Sequence, residues 1–109
     1  MYPLEGAAPD AAEAQAAAAA AAADDRRLVQ GLRDGDEAVY AELVRRWHPA
    51  MLRVARMYVR DRAVAEEVVQ ETWLAVLVGI DRFEARSSLK TWVFRILTNR
   101  AKTRGVREA

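Results

Sequence analysis

From Asp24 onward, apolar side chains recur every three or four positions, and nowhere do they alternate over the length of a strand. A chain with this rhythm has to bury helical stripes against one another, so the expected fold is all-α, a compact bundle of about four helices. Its 109 residues leave room for one small core. Polar punctuation divides the rhythm. The pair Asp24-Asp25 is placed to cap a short first helix carrying Leu28, Val29 and Leu32. Asp34-Gly35 stops it, because glycine takes the left-handed conformation at little cost. Asp36 caps a second helix running to about Tyr58 or Arg60, with Tyr40, Leu43, Val44, Trp47, Met51, Val54 and Tyr58 on one face. Pro49 within it removes a backbone donor and crowds the preceding turn, which predicts a kink between Arg45 and Pro49 rather than a split. Asp61 caps a third helix over residues 62–79, presenting Ala65, Val68, Thr72, Val76 and Leu77 to the core. GIDRFEARSS then reads as a loop, with Ser87 or Ser88 as the N-cap of a fourth helix that Gly105 is expected to end.

The segment before Asp24 is of another kind. MYPLEGAAPDAAEAQAAAAAAAADD has neither an amphipathic face nor the long aliphatic side chains of a core, so residues 1–24 are expected to form a disordered or frayed alanine-rich tail and 25–109 the domain. The run from Ala16 to Ala23 favours helix, but an isolated helix of that length is marginal in water. The segment lacks the basic start and the strongly apolar stretch of a signal peptide, and no apolar run approaches the ~20 residues of a membrane span. Neither export nor membrane insertion is expected. Cysteine is absent and His48 is the one imidazole, so thiolate metal sites, disulfides and an ordinary zinc site are excluded and a catalytic triad is hard to assemble. There is no phosphate-binding glycine loop either. The expectation is a cytoplasmic protein without metal or cofactor, and not an enzyme.

Two stretches carry chemistry. In SSLKTWVFRILTNRAKTR, residues 87–104, Leu89, Trp92, Val93, Ile96 and Leu97 make a core stripe. Thr91, Arg95, Thr98, Asn99 and Lys102 fall on a second, outward stripe. From Arg82 to the end eight basic residues face two acids, a local charge of +6, while the whole chain carries +1, so the remainder carries −5. Part of that negative charge is Glu66, Glu67 and Glu71, which with Gln70 lie on the third helix away from its apolar stripe. Lys and Arg interleaved with Asn and Thr suit nucleic acid, the cations taking phosphates and the amide a base edge. The same pattern also fits a solvated helix face. Opposite charge at two places suggests two partners.

These residues resemble a known family. RFEARSSLKTWVFRILTN is similar to the promoter-melting segment of bacterial sigma factors of the extracytoplasmic-function (ECF) class, and AVAEEVVQETWLAV, residues 63–76, is similar to that class's polymerase-binding helix. The resemblance covers about residues 25–107 and identifies domain 2 of such a factor. It implies that Glu66, Glu67, Gln70 and Glu71 dock on the clamp helices of the largest subunit of core RNA polymerase. It implies further that Asp81, Arg82, Phe83, Arg86, Ser87 and Ser88 surround a base flipped from the non-template strand of the promoter −10 element. Lys90, Thr91, Trp92, Arg95, Asn99, Arg100 and Lys102 complete the implied DNA-binding set, Arg95 and Asn99 reading bases and Arg100, Lys102 and Arg104 neutralising phosphates. An anti-sigma factor is a further partner of the class. Phe83 and Trp92 are open to a second reading as core residues.

The chain departs from the family in three places. Ala85 stands where many members have glycine, and TRGVREA replaces a denser arginine run. The family's second domain, a helix-turn-helix for the −35 element, does not fit in this length, so excision from a longer protein is expected. A helical protein-interaction module and an independent DNA-binding protein are the alternative readings.

Overall fold

The computed structural model describes residues 10–108, and all its regular elements are helical. They are α1 (Ala11–Arg33), α2 (Glu37–Ala55), α3 (Arg62–Gly79) and α4 (Leu89–Glu108), with a single 3₁₀ turn, Ile80–Arg82, ahead of α4. Local capping sets the starts. Asp36 accepts from the backbone N–H groups of Ala38 and Val39, and Asp61 from that of Ala63. Gly35 has φ +70°, which lets the chain reverse between α1 and α2.

The core lies where the four helices meet. Leu28, Val29 and Leu32 of α1 close over Leu43, Trp47 and Met51 of α2, the α3 set Ala65, Val68, Val69, Thr72, Trp73 and Val76, and Leu89, Val93, Leu97 and Ala101 of α4. Trp47 and Trp73 stack with ring centroids 6.3 Å apart, and Tyr40 meets Trp73 edge-on at 5.7 Å. Thr72 is fully buried at no unmet cost, because its hydroxyl donates to the Val68 carbonyl at 2.8 Å.

Four sequence expectations need correction. The first helix begins at Ala11 rather than after Asp25: Asp10 caps it by accepting from Glu13 N–H at 2.8 Å, and the alanine run continues the helix that the core anchors further along. Residues 11–23 pack no side chain into the core; the first nine residues of the expected tail lie outside those described. The second helix, continuous through Pro49 as expected, ends at Ala55, short of Tyr58. There the backbone tightens, Tyr58 N–H and Val59 N–H both donating to the Ala55 carbonyl, and this turn tucks Val59 into the core. On α3, Leu77 is 40 % exposed, and Val69 and Trp73 fill the core instead, since the buried face is wider than the expected stripe and turned away from Leu77. Finally, α4 runs through Gly105 to Glu108. A Cβ at Gly105 would collide with the Tyr58 carbonyl oxygen, so this glycine permits close helix packing and does not end the helix.

Candidate nucleic-acid interface

The loop between α3 and α4 is bonded at both of its ends. Phe83 N–H donates to the Ile80 carbonyl at 3.1 Å, and both Ile80 and Phe83 are buried. Ser88 is the N-cap of α4: its hydroxyl oxygen accepts from Thr91 N–H at 3.1 Å, and the same hydroxyl lies 2.9 Å from Thr91 Oγ1. Ala85, at φ +58°, is the one non-glycine residue among those described with a left-handed backbone. The position therefore demands the conformation that glycine adopts most cheaply.

That loop and the first turns of α4 enclose a cleft of about 210 Å³ lined by Arg82, Phe83, Glu84, Arg86, Ser87, Trp92 and Arg95. Six of these seven belong to the implied DNA-binding set. Glu84 does not, and it holds Arg86 at 2.8 Å. Phe83 and Trp92 make an aromatic wall with centroids 5.1 Å apart, tilted by 52°. Phe83 is thus both core residue and cleft wall, and half-buried Trp92 bridges the same boundary. Asp81 is exposed on the 3₁₀ turn and does not line the cleft, and Ser88 and Lys90 border a separate groove beside α1.

Further along α4, Arg95, Asn99 and Lys102 are exposed. Asn99 and Arg100 line a second depression, about 410 Å³, together with Glu71, Ile96 and three residues of the last turns. Lys102 Nζ sits 5.8 Å from the Tyr58 ring centroid and Lys90 Nζ 5.7 Å from that of Phe94, so both ammonium groups have aromatic rests.

The charge separation seen along the sequence does not produce two isolated faces. Arg104, with a side chain 26 % exposed, reaches Glu67 at 2.5 Å and Glu71 at 3.4 Å, and Arg100 lies 3.8 Å from Glu71. Hydrogen bonding to Glu67, aided by the nearby charges of Glu71 and Glu108, holds the Arg104 guanidinium above its ordinary range. The acidic side of α3 and the basic end of α4 therefore meet along one edge. Glu66 pairs locally with Arg62 at 3.4 Å, and Gln70 is exposed.

Sequence reasoning missed Asp25 and Arg33. Leu89 N–H donates to the Asp25 carboxylate at 3.1 Å, and Arg33 donates to the Phe83 carbonyl at 2.8 Å. No periodic signal could have paired them, for these partners are 64 and 50 residues apart.

Residues 43–108 match the family model Sigma-70 region 2. The chain belongs to this family. It is 30 % identical over 78 residues to RNA polymerase sigma-H factor of Pseudomonas aeruginosa, covering 72 % of this chain and 40 % of that protein. Against the ECF RNA polymerase sigma-E factor of Haemophilus influenzae the identity is 32 % over 78 residues, covering 72 % of this chain and 41 % of that protein. The chain thus spans about 40 % of the length of these relatives. Its backbone is similar to an NMR structure of an engineered region 2 of sigmaE in complex with GTAAAA, with TM-score 0.67, 28 % identity, and coverage of 77 % of this chain and 87 % of that one.

Proposed function

We propose that this chain is the part of an ECF sigma factor that holds core RNA polymerase through α3 and recognises and melts the promoter −10 element through the α3–α4 loop and α4. The observation that carries the reading is the cleft between Phe83, Arg86 and Trp92, which opens toward the exposed Arg95 of α4 in a chain of this family. Melting requires that an extruded base be held, since unstacking it costs a few kcal/mol. An aromatic wall can stack the base, while Ser87 and the arginines can hydrogen-bond its edge and its phosphate. The solved neighbour in complex with GTAAAA supports single-stranded DNA as the ligand. Asn99 and Arg95, one turn apart on the outward face, read bases upstream of the captured one; Lys102, Lys90 and Arg100 neutralise phosphates. Glu66, Glu67, Gln70 and Glu71 face the clamp helices of the largest polymerase subunit. The place of action is then the bacterial cytoplasm, no catalysis falls to this chain, and an anti-sigma factor would compete for the same surfaces.

The test is base selection from a randomised single-stranded pool by the chain bound to core polymerase. Asn99→Ala should flatten the preference at one position. Lys102→Ala should weaken every sequence alike and make the salt dependence shallower. If Asn99→Ala leaves every preference intact, α4 is an electrostatic platform and does not read sequence.

A further inference from the structure

The loop that walls the cleft has few bonds of its own. Apart from the Ile80–Phe83 turn and the Ser88 cap of α4, its own polar contacts among the described residues are the Glu84–Arg86 ion pair and a 3.2 Å bond from the Ser87 hydroxyl to the Ser88 carbonyl. Its other fixed points come from α1. Arg33 Nη2 donates to the Phe83 carbonyl at 2.8 Å, with Nε 3.4 Å from the Ile80 carbonyl, so one guanidinium spans the 3₁₀ turn at the loop's start. Two turns earlier on the same face of α1, both Asp25 carboxylate oxygens lie within 3.3 Å of the Leu89 amide at the loop's end. Val29, midway between them, is buried and lines a small hollow shared with Phe83 and Ala85. Rigid α1 therefore grips the loop at both ends, and the left-handed Ala85 lies between the grips. These two α1 residues lie outside the segment 43–108 matched by the family model.

We propose that Asp25 and Arg33 are positioning residues for base capture: α1 is a strut that sets the separation of the Phe83 loop from Trp92 and so preforms the cleft. The proposal rests on the base-capture reading above. Neither residue lines that cleft, so neither touches the base; each acts through the backbone it holds. A preformed cleft spends no binding energy on ordering its loop, whereas a released loop must be ordered each time a base enters.

The experiment uses the chain bound to core RNA polymerase and the hexamer selected by the wild-type assembly from a randomised single-stranded pool. Six versions, each abasic at one position, show which base is captured, because its removal costs the most affinity. With Arg33→Gln the penalty at that position should shrink at least about fivefold, the effect of losing a charge-assisted hydrogen bond. The other five penalties, the salt dependence and the polymerase affinity should match those of wild type and of the exposed control Arg53→Gln. Arg33→Lys, which keeps the charge but not the planar fork, should fall between. Equal weakening at all six positions, or an undiminished penalty at the captured base, would overturn the strut. A wild-type assembly that selects no hexamer would instead overturn base capture itself, and the strut with it. Should Arg33→Gln not fold, Arg33→Lys and Asp25→Ala carry the same comparison with the same deciding outcomes.

Discussion

At the scale of the residue, Ala85 shows how a local rule is broken at a site. A left-handed backbone costs an L-residue about 1–2 kcal/mol, of which glycine's greater chain entropy would return part. Ala85→Gly is therefore expected to raise stability by roughly 0.5–1 kcal/mol and the melting temperature by a few degrees. Thermal denaturation followed by circular dichroism measures this; an unchanged or lower midpoint would mean that the conformation is not strained. Gly105 gives the opposite sign. Helix propensity alone favours alanine there by about 1 kcal/mol, but its methyl group would meet the Tyr58 carbonyl, and a forced overlap of this kind costs about 1–3 kcal/mol. Gly105→Ala should lower the melting midpoint in the same assay, and a rise would show that α4 can move away from Tyr58. Caps such as Asp36 and Asp61 were legible in the sequence because their partners are two or three residues away. The left-handed backbone at Ala85 was not, since alanine carries no signal for it; only the family's glycine at that position hints at it.

At the scale of the element, periodicity located α3 to the residue and most of α4, because each carries a local cap and an apolar stripe of constant phase. It failed where tertiary contact decided the outcome. The start of α1 was misplaced because Asp24-Asp25 looks like a cap, yet Asp24 instead serves an exposed cluster, pairing with Arg27 at 2.9 Å. The end of α2 was misplaced because burying Val59 matters more than extending the Tyr58 stripe. Since residues 11–23 are helical but put no side chain in the core, deleting residues 1–20 should remove helical signal while shifting the melting midpoint by no more than about 2 °C. A large fall would show that the alanine helix docks on the domain. The implied site was legible as a set of residues along one loop and one helix, and six of them line a single cleft. The strut was not legible, because its bonds join α1 to backbone groups far away in sequence.

At the scale of the whole molecule, surface ion pairs tie the helices together at two places. Arg27 of α1 bonds Glu42 of α2 at 2.8 Å, and Arg104 of α4 bonds Glu67 of α3 at 2.5 Å. Hydrogen bonding to Arg27 holds the Glu42 carboxyl below its ordinary value of 4.5, and the guanidinium remains protonated throughout. Because the folded-state value is the lower one, the stabilisation is present above pH 4.5 and is lost as pH falls through the depressed folded value. Melting midpoints should therefore fall with acid below that pH, and less so for Glu42→Gln; an equal fall in both would remove Glu42 from the account. The second cluster bears on the proposed polymerase contact, since among the described residues Glu67 and Glu71 are engaged by Arg104 while Glu66 pairs within α3 and Gln70 is exposed. Glu66→Lys combined with Gln70→Lys should thus weaken capture by core polymerase at least about fivefold without loss of helicity, and unchanged capture would remove this face from the contact. The most direct test of base capture is photocrosslinking of the selected hexamer, carrying a photoreactive base at each position in turn, to the chain on core polymerase. Mass spectrometry should place the adducts of one base on the cleft residues Phe83, Arg86 and Trp92, with single strand far outcompeting duplex of the same sequence. Adducts confined to α1 or α2, or equal competition by duplex, would contradict it.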